Sequence, residues 1–321
     1  MSRKAIVCDV ELVPNYLLHL LASARVCFDS AYADKYESTV EASSVQFLRE
    51  NRQLLSWGSG GGGELSEFVV TLPIIFELKS EKELSEYFEL LIGALSTKST
   101  EEFFRKYATV IEQLERTWFP LNQEALMGLA PLTEKLETCQ EIVRRNFRRY
   151  EQSVWPDESR QMEKVAGELN DYFKGRDIIG KWEELTRKVL ATAKYTIVLS
   201  SAIEGGPNAN SMGYAKNMFS SRRSMDWTRD FISHEVGIHI LMSEFRKLAE
   251  SGKYEWRQLY GANECLAQFL NGIVLDKAVL AYDLQQFGSM ESIPRYREAF
   301  NLGGKLNYAD LIGRAIQEKR N

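Results

Sequence analysis

The sequence predicts a mainly α-helical chain with a small β-sheet, an α+β protein. Apolar residues recur at helical spacing along most of the chain. Against that background, Lys194-Tyr195-Thr196-Ile197-Val198-Leu199-Ser200 has the length and the β-branched and aromatic content of a strand. A third feature divides the chain: Val154-Trp155-Pro156-Asp157-Glu158 reads as a connector followed by a helix start. It separates a mostly helical N-terminal region, 1–153, from a C-terminal domain, 154–321.

The 321 residues are 44% hydrophobic and 26% charged, the balance of a chain that buries its own core, which excludes disordered, collagenous and coiled-coil classes. Lys and Arg number 40 against 45 Asp and Glu, so the net charge of -5 provides no general field for nucleic acid or an anionic membrane. Neither partner is expected. Cys8, Cys27, Cys139 and Cys265 show no C-x-x-C spacing, which points to a reducing compartment. Near the N-terminus, Arg3 and Lys4 precede an apolar stretch, but Asp9, Glu11 and Pro14 interrupt it. The expected location is therefore the cytoplasm. No window approaches the roughly 18 uncharged apolar residues of a membrane-spanning helix.

In chain order, Leu18, Leu21, Ala22, Val26, Tyr32 and Tyr36 are spaced as in helices. Gly58 and Gly60 to Gly63 then break regular structure. A phosphate-binding loop would continue Gly-Lys-Ser/Thr, whereas this run continues Glu64-Leu65-Ser66, so a flexible loop is expected. Residues 68–76, rich in Val, Ile and Thr, predict a short strand or buried apolar segment, and Pro73 favours an edge position. Residues 82–150 return to helical spacing, with breaks at 96–99 and around Pro120 and Pro131. Within them Arg144, Arg145, Arg148 and Arg149 are interleaved with Phe147 and Tyr150, a pattern compatible with nucleic acid. Nearby glutamates make a solvated, ion-paired face the expectation. After the strand at 194–200, residues 205–210 read as a loop and 225 to about 251 as a long helix.

That helix carries the chemistry. The chain has three histidines, and two of them lie in Ser233-His234-Glu235-Val236-Gly237-Ile238-His239. A His-Glu-x-x-His motif sets both imidazoles on one helix face towards a zinc ion, with the Glu as base. Here the spacing is five, and residues five apart on an ideal helix point about 140° from one another. A single π-bulge between His234 and His239 realigns them, and Gly237 tolerates such a distortion, so a bulge is expected. The flanks Val236, Ile238, Ile240, Leu241 and Phe245 make the helix a buried one. Unpartnered, two imidazoles and a carboxylate inside it cost on the order of several kcal/mol, which a divalent cation offsets. The simpler alternative is a buried helix whose histidines only satisfy hydrogen bonds.

Catalytic zinc takes three protein ligands and keeps one position open. Glu264, in Tyr260-Gly261-Ala262-Asn263-Glu264-Cys265-Leu266-Ala267, is the candidate third ligand if the chain turns near Gly252 and returns a second helix alongside. Alternatively, Glu264 compensates the dipole of that helix from its first turn. Cys265 points about 100° away from Glu264 on a helix, and a buried, inert thiol is expected.

At these residues the sequence resembles the gluzincin-type metallopeptidases with a His-Glu-x-x-x-His helix. It is most similar to the family of the microtubule-associated tyrosine carboxypeptidases and their bacterial relatives. That family pairs His-Glu-[Ile/Val]-Gly-x-His with Gln-Glu-Gly-Leu-Ala; this chain reads His234-Glu235-Val236-Gly237-Ile238-His239 and Asn263-Glu264-Cys265-Leu266-Ala267. The likeness covers about residues 195–270, including the approach from Arg222-Arg223-Ser224 through Arg229. It implies a zincin-like catalytic domain over 154–321, zinc held by His234, His239 and Glu264, and Glu235 as catalytic base. Asn263 and Cys265 replace the family's Gln and Gly, a change to the substrate pocket rather than to the zinc chemistry. Glu264-Cys265-Leu266-Ala267 is also similar to the Glu-Glu-Cys-x-Ala of the dipeptidyl peptidase III family, whose helix motif places its Gly one position later.

The expected function is zinc-dependent peptide hydrolysis, with Zn2+ as cofactor and a peptide or protein C-terminus as substrate. A carboxypeptidase needs a cation for the terminal carboxylate, and Arg222 and Arg223 are the candidates, the alternative being a solvated basic turn. Tyr254, Tyr260 and Tyr282 are candidates for the donor that a tetrahedral oxyanion needs besides the metal, and Tyr260 is also a candidate substrate-binding residue. The strand at 195–200 is a candidate for edge pairing with an extended peptide. The competing readings are an endopeptidase or dipeptidyl-peptidase-like gluzincin, a non-catalytic protein whose zinc fastens two helices, and a metal-free helical adaptor acting through Arg144 to Arg149. His19, far away in sequence, is the only further histidine to complete a closed structural zinc site.

Overall fold

A computed structural model describes residues 4–26, 31–57, 62–114, 121–203, 209–303 and 307–317. The chain is mainly helical with one small sheet, as the sequence predicts. Strand β1 (Ala5–Asp9) and helix α1 (Leu12–Ser23) lead into the short helices α2 (Ala31–Tyr36), α3 (Ala42–Glu50), α4 (Arg52–Leu55) and α5 (Leu72–Ile75). Then come α6 (Glu81–Thr97), α7 (Glu101–Leu114), α8 (Gln123–Met127), α9 (Thr133–Ser153), α10 (Trp155–Lys174) and α11 (Ile178–Thr186). Strands β2 (Lys194–Ser200), β3 (Ala209–Tyr214) and β4 (Lys216–Ser220) precede α12 (Met225–Glu250), α13 (Trp256–Leu275), α14 (Ser289–Gly303) and α15 (Tyr308–Gln317).

The sheet order is β1-β2-β4-β3. β2 runs parallel to β4, with Ile197 opposite Asn217 and Leu199 opposite Phe219, and β3 runs antiparallel to β4. β2 therefore has a neighbour on either side. An interior strand has no free edge, so residues 195–200 cannot add a substrate peptide by edge pairing. Residues 68–76 are not a strand either: a π-helical turn, Glu67–Thr71, runs into α5. Pro73 lies in the first turn of α5, where a missing N–H is tolerated. Phe68, Val69, Val70, Leu72, Ile74 and Ile75 are all buried, and a short segment buried all round gives the same apolar run as a strand.

The chain forms two compact units. One, the helical unit, comprises residues 8–168 and 196–222; the other, the motif unit, comprises 1–7, 169–195 and 223–321. The connector at Val154 does end α9 and start α10, but it is not where the units part. Val154 is fully buried and Glu158 is 1% exposed, bonded to the Tyr36 hydroxyl, so the first half of α10 belongs to the helical unit's core. In that unit α1 is buried along nearly its whole length by α2, α3, α5 and α9. α6 ends at Lys98, left-handed with φ 56°, the break read at 96–99. Arg144 and Arg145 both bind Glu141, the ion-paired face expected of that run. The breaks read at Gly58 to Gly61 and Pro120, and most of the 205–210 loop, lie outside the described residues. Among the described residues no helix is long and apolar enough to cross a membrane.

His19 sits in the helical unit's core. Its Nδ1 is 2.9 Å from the Tyr32 hydroxyl, its Nε2 is 3.2 Å from Thr39 Oγ1, and its ring packs on Tyr150. Burial lowers its pKa to about 3, outweighing the opposing charge of Glu158. The unfolded chain therefore takes up this proton more readily. His19's contribution to stability is complete above about pH 6.5 and is lost as pH falls towards 3. Urea unfolding should lose about 2 kcal/mol from this residue between pH 7 and pH 5. His19→Gln, which keeps hydrogen-bonding capacity, should flatten that dependence; an unaltered pH slope would contradict the assignment.

Candidate metal and catalytic site

α12 begins at Ser224, whose hydroxyl accepts the Trp227 N–H. A turn through Gly252 (φ 64°) returns α13 alongside it. Phe245 meets Trp256 at one end, His234 meets Glu264 in the middle, and Asn271 meets Asp230 at the other, so the helices run antiparallel. Both are buried on most faces. Their polar side chains must therefore satisfy one another.

The fully buried His234 has its Nε2 3.1 Å from Glu264 Oε2. Tyr260, one turn before Glu264, lies near enough to that carboxylate for it to add to the rise in the tyrosine's pKa. Burial raises the pKa of Tyr260 and of Tyr282, and Glu264 and Glu235 lie close enough to push both higher. Phe231 stacks on the His234 ring at 5.2 Å, while Tyr282 meets it at 5.3 Å. His234, Glu235, Tyr260 and Glu264 are thus brought together. Glu264 lies mid-helix, which removes the first-turn dipole as its reason for being there. The Cys265 thiol is buried and donates to the Phe287 carbonyl at 3.5 Å.

The three candidate tyrosines separate by their partners. Tyr254 packs beside Gly313 of α15. Tyr260 is engaged by Glu264. The Tyr282 oxygen accepts from Asn271 Nδ2 at 3.1 Å, a bond that does not use its own proton. Asp230, fully buried, holds the segment bearing Tyr282 by accepting from Lys277 Nζ at 2.6 Å and from the Ala281 N–H at 2.9 Å. Asp230 and Asn271 join the site without having stood out in the sequence. Asn271 carried a signal, a polar residue in the apolar run 269–275, whereas Asp230 follows Thr228 and Arg229 and is marked only by lying one turn ahead of His234.

His239 does not join this group. α12 is α-helical from Met225 to Glu250, without the expected bulge, so the two imidazoles diverge. His239 meets Tyr195 edge-on at 5.7 Å, and burial lowers its pKa to about 4. Among the described residues, no three His, Cys, Asp or Glu side chains are gathered as for a metal. Gly237 serves a different purpose from a bulge. A Cβ there would lie 2.3 Å from Trp182 Cζ2 and Cη2, and the Trp182 indole N–H donates to Ser233 Oγ at 3.2 Å. The glycine admits a fully buried Trp182 against a straight helix.

In kind, two imidazoles and a carboxylate are zinc ligands, but only His234 and Glu264 are placed together here. His234 Nδ1 and His239 Nδ1, on diverging rings, are buried without a hydrogen-bond partner. The 3.1 Å between His234 Nε2 and Glu264 Oε2 is close to the roughly 3.4 Å separating two ligands of one tetrahedral zinc. Of the two arginines, Arg222 belongs to the helical unit, where its Nε donates to the Ser201 carbonyl at 3.1 Å and its guanidinium lies 3.6 Å from Glu158. Arg223, exposed, lies over the Trp227 ring at 5.2 Å; Trp227 stacks on Phe231, and Phe231 on His234. Compared with family models, curated proteins and solved structures, the chain matches none.

Gly237→Ala tests the Trp182 contact. In an open helical position the change stabilises by about 1 kcal/mol, whereas overpacking against Trp182 should destabilise by about 1–3 kcal/mol. Thermal unfolding reads the sign. A gain in stability would mean that the indole does not need the space.

Proposed function

We propose that the chain is a zinc-dependent peptidase in which His234, His239 and Glu264 hold the metal and Glu235 is the base. The observation that supports this most is the buried His234–Glu264 pair on neighbouring helices, with Glu235 close by. Zinc held there would polarise the scissile carbonyl and lower the pKa of a water towards about 7. The Glu235 carboxylate takes a proton from the attacking water and passes it to the leaving nitrogen. Tyr282 offers its hydroxyl proton to the developing oxyanion, and Asn271 and Asp230 keep that phenol against His234. Tyr260, beside Glu264, is placed to support that carboxylate. The aromatic ladder from Arg223 to His234 supports a carboxypeptidase acting on a peptide C-terminus, with Arg223 rather than Arg222 meeting the terminal carboxylate. Kinship with the gluzincins of the tyrosine carboxypeptidase type and a cytoplasmic setting belong to the same proposal.

The straight α12 favours a second reading, a non-catalytic helical protein in which His234 and Glu264 are simply a hydrogen-bonded core pair. Glu235→Gln separates the two. Zinc should stay at one per chain while hydrolysis of a peptide library falls by about 100-fold or more. Wild type that binds no zinc and cleaves nothing would establish the second reading. Amidated C-termini should resist cleavage; equal cutting of free and amidated peptides would remove the role given to Arg223.

A further inference from the structure

We propose that the cavity beside the second half of α13 is the pocket for a large apolar side chain of the substrate, an inference that rests on the peptidase reading. The cavity measures about 920 Å³ and lies between α13, the 276–283 connection and the start of α14. It begins where the candidate site ends. Gln268 follows Glu264 by one helical turn, and Tyr282, which meets the His234 ring, forms part of the wall. The volume falls within the roughly 300–1,000 Å³ of ligand pockets.

The lining favours an apolar occupant. Ile273 is 41% exposed and Val279 84% exposed, and Pro294 lies with them, so the chain leaves apolar surface uncovered at this cavity. Lys277 spends its charge on Asp230 at 2.6 Å, while Asp276, Asp283 and Arg297 bring both signs to exposed positions. Gln268, 8% exposed, also lines the cavity, and its buried Oε1 has no hydrogen-bond partner.

Val279→Asp and Ile273→Asp place a charge at the cavity without emptying the core. The probes are two fluorescent N-blocked peptides that differ only in carrying leucine or asparagine around the scissile bond. Their binding is read by fluorescence anisotropy on the zinc-loaded Glu235→Gln chain, alone and with each substitution, and their turnover on the chain with Glu235 intact. The leucine peptide should bind at least about tenfold more tightly, and each aspartate should abolish that preference. The KM for the leucine peptide, relative to the asparagine peptide, should rise by the same factor. Equal binding of the two peptides, or a preference that survives both substitutions, overturns the proposal. Leucine-selective binding without hydrolysis keeps the pocket and removes the peptidase reading; hydrolysis without leucine preference removes the pocket alone.

Discussion

Two helices buried on most of their faces have to pack against each other, and the rest of the candidate site follows from how α12 and α13 meet that demand. Each polar group on one helix needs a partner on the other or on the segment that follows. His234 meets Glu264, Asn271 reaches the Asp230 carbonyl, and the Asp230 carboxylate is closed by Lys277 and Ala281. Removing one partner of a buried charged pair typically costs about 3–5 kcal/mol, so this seam is intolerant of change whether or not it performs chemistry. Trp182 adds a steric constraint on α12, fitting only because residue 237 lacks a side chain.

The same seam brings catalytically useful groups into a place that water barely reaches. Glu235 is 8% exposed and Glu264 7%, and both lie near phenols whose pKa burial has raised. Tyr282 stays protonated there and can donate a hydrogen bond. Interactions of this kind strengthen as the surroundings lose water.

Much of this was legible in the sequence, and the rest was not for identifiable reasons. The motif helix, its return partner and the strand at 194–200 follow from periodicity and β-branched content. β3 and β4, Ala-Asn-Ser-Met-Gly-Tyr and Lys-Asn-Met-Phe-Ser, contain no Val, Ile or Thr; pairing with neighbouring strands makes them strands, which a local reading does not see. Residues 68–76 mislead in the opposite direction, because complete burial enriches Val and Ile in a helix as well. The break at Val154 was real as a helix boundary, but α10 continues packing within the helical unit, and contacts rather than breaks set where the units part. At the motif, the spacing of His234, Glu235 and Glu264 was informative, whereas the role of Gly237 depends on Trp182, 55 residues earlier in the chain.

His239 is where the zinc reading and the straight helix pull apart. An ion with three protein ligands needs this imidazole; a hydrogen-bonded core pair does not. X-ray absorption at the zinc edge, on protein loaded with one equivalent of zinc, counts the coordinated imidazoles directly. Two imidazoles and a carboxylate oxygen are expected at about 2.0–2.2 Å, with one imidazole lost in His239→Ala. A spectrum with a single imidazole, unchanged by His239→Ala, would contradict the zinc reading.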